Sequence, residues 1–107
     1  MIPKSKINTE YKADDSVKDA CWRFCRELNP DLPEHPYMGM RKILSPKIGC
    51  VVLFLIGGSW HSGIVWPDGM HFIHARPDYN HKHIIRQERL TSKDWKGLIE
   101  GYYVPVK

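Results

Sequence analysis

Two turn signals constrain the fold of this chain more than any other feature. Gly57-Gly58 and Trp66-Pro67-Asp68-Gly69 cut its middle into three short apolar runs: Cys50 to Ile56, His61 to Trp66 and Met70 to Ala75. Short runs bounded by Gly, Pro and Asp read as strands. The 66–69 turn joins the second and third runs in a hairpin. A further strand is expected from His81 to Arg86, and a last one, rich in Tyr and Val, from Gly101 to Val106. Between them, residues 91–97 read as a short polar turn or helix carrying Trp95.

Upstream the period changes. Val17, Cys21, Phe24, Cys25 and Leu28 recur at helical intervals. Asn29-Pro30 ends that segment, since Asn caps and Pro blocks continuation. Ser16 and Asp19 compete as the N-cap. With Asp19 as cap, Cys21 falls in the first turn, where free N–H groups and the helix dipole favour a thiolate. The chain opens on an irregular polar segment, residues 1–10 and a few beyond. Residues 30–47 hold Pro30, Pro33, Pro36 and Pro46 and read as a long loop with a helical turn near Met38 to Lys42. A helix followed by antiparallel strands implies one α+β domain across residues 1–107, its N-terminal helix packed on an antiparallel sheet.

Three residues in this layout suit cysteine-nucleophile chemistry. A thiol needs a base to become a thiolate, and the base needs a third group to hold its ring. Cys21 lies on the helix, His61 opens one strand of the hairpin and His74 lies in the other. If Val65 pairs with Met70 across a four-residue loop, His61 pairs with His74, and directly opposed residues lie roughly 5 Å apart. A three-residue loop would set His61 against Ala75 and separate the rings.

Composition excludes some alternatives. A net charge of +4 is spread over scattered Lys and Arg, whereas nucleic-acid binders cluster them with interleaved aromatics. The mild positive bias suits an anionic polymer such as a bacterial cell wall. No apolar run approaches the roughly 20 residues of a membrane helix, and the start lacks the apolar stretch of a secretory signal. A disulfide framework would use an even number of cysteines and this chain has 3, so free thiols are expected, with Cys25 and Cys50 buried as small apolar groups. The His and Cys pairs, Cys21/Cys25, His71/His74 and His81/His83, do not have zinc-ribbon or zinc-finger spacing. No metal and no cofactor is expected.

These residues also carry a resemblance. Gly49-Cys50-Val51-Val52-Leu53-Phe54, His61-Ser62-Gly63-Ile64-Val65 and Phe72-Ile73-His74-Ala75 resemble the NlpC family of papain-like cell-wall cysteine peptidases. Cys21-Trp22 is similar to its phage-tail-associated forms, and Gly101-Tyr102-Tyr103-Val104-Pro105 to its last strand. The resemblance implies a papain-like fold with Cys21 as nucleophile, His61 as base and His74 as the orienting residue. It implies Tyr11 and Trp22 near the oxyanion and substrate region, and peptidoglycan stem peptides as substrate. It further implies action at the bacterial wall, in a virion or as a delivered effector, with phage-tail or secretion-system proteins as partners. The alternative is a tail-tip binding module that keeps the fold without turnover.

Overall fold

A computed structural model describes residues 4–11, 20–34, 38–77 and 83–106. Its strands are β1 (Glu10–Tyr11), β2 (Met40–Ile43), β3 (Val51–Ile56), β4 (Ser59–Val65), β5 (His71–Pro77), β6 (His83–Arg89) and β7 (Ile99–Pro105), with one helix, α1 (Ala20–Leu28). The strands form one seven-stranded sheet in the order β1-β6-β5-β4-β3-β7-β2, and every pairing is antiparallel. The expected α+β class and the helix on an antiparallel sheet are therefore present. The candidate caps Ser16 and Asp19 lie outside the described residues.

Local chemistry explains the turns. Gly57 and Gly58 link β3 to β4 at φ of 54° and 84°. Both lie in the left-handed region that the two-residue hairpin turn requires and only glycine adopts cheaply. After β4, the Asp68 carboxylate accepts the backbone N–H of Met70 and His71 at 3.0 and 3.1 Å, which fixes the start of β5.

Three expectations need correction. The β4–β5 register sets Ile64 against Ile73 and Val65 against Phe72. The connection is thus longer than four residues, and His61 does not directly oppose His74. Met40–Ile43 is a strand, not a helical turn; it covers the open side of β7 with Met40 to Ile43 paired to Pro105 to Tyr102. The opening segment is also less irregular than expected. It makes a short 3-10 turn at Lys4–Lys6, then the two-residue β1 against β6, where the Arg86 guanidinium donates to Asn8 Oδ1 at 2.6 Å.

Both faces of the sheet are apolar, and different partners cover them. α1 packs on β4 and β5. Trp22, Cys25 and Leu32 meet Val51 and Ile64, while Phe24 meets Ile73, Ala75 and Ile85. On the other face Cys50, Val52, Phe54, Val65, Phe72 and Leu90 form a cluster closed by Trp95 from the 92–98 turn. Adjacent strand residues point to opposite faces. The unbroken β3–β4 register therefore assigns Ser62 and Ile64 to the helix face and His61, Gly63 and Val65 to the Trp95 face.

Candidate functional site

On the Trp95 face the two histidines meet. His61 Nε2 lies 2.6 Å from His74 Nδ1. Their strands carry them to the same face on a diagonal, and Gly63 makes the contact possible. A Cβ built on Gly63 would lie 3.0 Å from the Ile73 carbonyl oxygen and 3.1 Å from the His74 Cβ. Any side chain there would push β5 away.

The relay extends one residue further. His74 Nε2 bonds Glu88 Oε2, and Arg76 Nη1 meets the second oxygen, Oε1, at 3.3 Å. Glu88 comes from β6, where it pairs with Phe72 and so faces the same side as His74. Sequence reading missed it because the expected strand stopped at Arg86. Carrying the alternation of that strand on by two residues would have exposed it.

This chain of bonds assigns the tautomers. A carboxylate only accepts, so His74 Nε2 carries the hydrogen and donates to Glu88. Neutral His74 then offers Nδ1 as an acceptor, and His61 Nε2 donates to it. Among the described residues nothing bonds His61 Nδ1, so its lone pair is free. Both rings are held neutral. Burial pushes His61 down to about 3, with help from the neighbouring His74 and His83. Burial also lowers His74, against the opposing pull of Glu88. For Glu88 burial works upward, but the hydrogen bond from His74, with Trp95 and the Arg76 charge, brings the net shift below the usual carboxylate range.

Trp95 closes the site. Its ring stacks on His61 at 6.0 Å and meets His74 edge-on at 4.8 Å. A cleft of about 260 Å³ opens beside it, lined by Ile56, Ser59, Trp60, His61, Arg76 and Trp95. A larger depression of about 470 Å³, near Met70 and Tyr102, contains none of these groups except through the far end of the same turn at Lys96.

Cys21 is elsewhere. Cys25 lies with its thiol 3.8 Å from Ser62 Oγ, on the helix face. Cys21, one helical turn earlier, shares that stripe. Asn29 at the other end of α1 donates to the Gly49 carbonyl at 3.2 Å, beside the end of β4. The Asn29 end of α1 thus lies by the Gly49–Val65 end of the β3–β4 pair, and Cys25 nearer its middle packs on the Ser62 face, opposite the face that carries His61. Among the described residues no hydrogen bond joins the Cys21 thiol to His61. Cys21 is half-buried, and all three cysteines are free thiols.

The other two expected site residues also lie on the helix side. Trp22 is 3% exposed in the core, and its indole N–H donates to the Pro33 carbonyl at 3.0 Å. Tyr11 meets Phe24 edge-on at 5.0 Å, and burial and the Glu27 carboxylate push its hydroxyl up to about 12. The apolar stripe of α1 drew both into packing, so neither faces the cleft. Among the described residues no group of three or more His, Cys, Asp or Glu could hold a metal ion, and no helix is long and apolar enough to cross a membrane.

Comparison with protein-family models and with curated proteins finds no match.

Proposed function

We propose that this chain is a hydrolase of amide bonds in peptidoglycan stem peptides, with His61 as its base. The observation that most supports this is the His61–His74–Glu88 relay. A buried pair of imidazoles anchored on a carboxylate fixes one ring and leaves one basic nitrogen free beside a cleft. A proton taken on Nδ1 makes an imidazolium whose Nε2–H is held by His74, and the Glu88 charge favours it against the burial that lowers His61. The substrate class rests on the sequence resemblance to NlpC peptidases, and with it the site of action at the bacterial wall.

Cys21 is the nucleophile of this reading. Its proton would pass to His61 Nδ1, and its sulfur would attack the scissile carbonyl carbon. The proton would then pass to the leaving nitrogen as the C–N bond breaks. Water would release the acyl group from sulfur with His61 again as base. The Cys25 stripe of α1 packs on the Ser62 face of β4 while His61 lies on the other, so this path requires the first turn of α1 to bring the thiol round to His61. The same separation favours a second reading: a wall-binding or tail-tip module that keeps the fold without turnover.

Digestion of purified peptidoglycan with analysis of the released muropeptides separates these. Fragments from wild type but from neither Cys21→Ala nor His61→Ala support the thiol hydrolase. Fragments that persist in Cys21→Ala and vanish in His61→Ala make His61 the activator of water and remove Cys21 from the chemistry. Wall binding with no fragments from wild type supports the binding module.

A further inference from the structure

We propose that Arg76 makes the cleft beside His61 a carboxylate-binding site, taking a short peptide whose free carboxylate lies next to an apolar group. The inference rests on the cleft being a ligand site, as the functional reading above has it.

Arg76 is the only charged side chain among the described residues lining this cleft, apart from the titratable His61. The side chain is held but not used up. Its guanidinium carbon lies 5.6 Å from the Trp95 ring centroid. One nitrogen makes a single long contact of 3.3 Å to Glu88 Oε1, while the other Glu88 oxygen belongs to His74. A guanidinium has five N–H donors in a fixed fork. Among the described residues Arg76 has no other acceptor, and its side chain is 48% exposed. The remaining donors are therefore pre-positioned and solvated, the condition in which a bidentate carboxylate binds well.

The walls define the rest of the ligand. Ile56 and Trp60 are exposed apolar groups, and Trp95 supplies an aromatic side. A body of aliphatic or aromatic character beside the carboxylate would cover them. At about 260 Å³ the cleft falls just below the usual range for small-molecule sites, so it suits a short peptide segment better than a large cofactor. Arg76 and His61 line the same cleft, and both lie on the Trp95 face of their strands. A carboxylate on Arg76 would thus share the cleft with a carbonyl presented to His61.

The test reads binding apart from turnover. Acetyl-dialanine, its C-terminal amide and inorganic phosphate are titrated into the full chain while the Trp95 indole signal is followed by NMR. The carboxylate should shift that signal saturably and bind roughly tenfold to a hundredfold more tightly than the amide. Arg76→Gln should remove that preference, and Arg76→Lys should restore only part of it, since an ammonium lacks the fork. Equal binding of acid and amide overturns the proposal. So does unchanged binding by Arg76→Gln, phosphate competing as well as the carboxylate, or no binding at all. Carboxylate binding without released muropeptides would keep this inference and sink hydrolysis. Fragments without Arg76-dependent binding would do the reverse.

Discussion

The two faces of the sheet are built from the same kinds of residue but do different work. On the helix face, Val51, Ile64, Ile73 and Ala75 meet Trp22, Phe24 and Cys25 in apolar packing, with only the Trp22 indole and the Cys25 thiol making hydrogen bonds among these side chains. On the Trp95 face, Phe54 and Phe72 support two buried imidazoles and a carboxylate. The first face is held mainly by apolar volume. The second depends on particular hydrogen bonds, because a buried polar group without its partner costs more than a lost apolar contact. The difference teaches that a thiol on the first face and a base on the second share a sheet without sharing a site.

The largest expected effect comes from removing the floor of the second face. Phe54 is fully buried against His61, Phe72 and Trp95. Phe54→Ala should lower unfolding free energy in urea by about 3–5 kcal/mol and loosen the relay. A loss below about 1 kcal/mol would mean that this face is not packed as described.

Acid should act on the same face. His61 and His74 both sit below their ordinary value in the folded chain, so the unfolded chain binds their protons first. Their stabilisation is complete above the ordinary histidine range and is lost as pH falls below about 6.5. For His61 the loss continues toward about 3. Glu88, lowered in the fold, adds a loss of the same sign at more acid pH. Unfolding free energy should fall by on the order of 1.4 kcal/mol per pH unit for each histidine. The slope should be about one proton shallower in His61→Gln. A flat profile between pH 6.5 and 4 would break the assignment of neutral, buried rings.

Gly63→Ala sharpens the comparison at a single atom. The added Cβ would meet the Ile73 carbonyl and the Phe72 ring, each at 3.0 Å. A cost of about 1–3 kcal/mol is expected, together with separation of His61 from His74. An unchanged melting temperature would show that β4 and β5 are not so close.

The smallest effects lie on the helix face. Cys25 is 0% exposed and burial drives its thiol well above the ordinary value; Cys50 is raised for the same reason. Iodoacetamide should therefore label half-buried Cys21 first. Cys25→Ala should cost about 1 kcal/mol, and Cys21→Ala less than about 0.5 kcal/mol. Faster labelling of Cys25 would place the helix differently on the sheet.

Much of this was legible in the sequence. Gly57-Gly58 marked the end of one strand and the 66–69 segment a hairpin, because φ above zero and an Asx turn are local demands. His61 and His74 share one face although the loop is longer than expected, because the observed register differs from the expected one by an even number of residues; an odd difference would have separated them. Edge strands were less legible. Met40–Ile43 follows a proline-rich loop and owes its form to pairing with β7.

What the sequence determined by itself was therefore the strand alternation and the helix, since each follows from steric and hydrogen-bond rules acting over a few residues, while the register that brings the two histidines to one face was permitted but not forced. Only the tertiary structure decided which face α1 covers, and with it the separation of Cys21 from His61. β3 is apolar on both sides, with Val51 facing the helix and Val52 and Phe54 facing Trp95. Periodicity cannot choose between two apolar faces. The choice is made by which side chains fill which space, and that depends on all the residues around them at once.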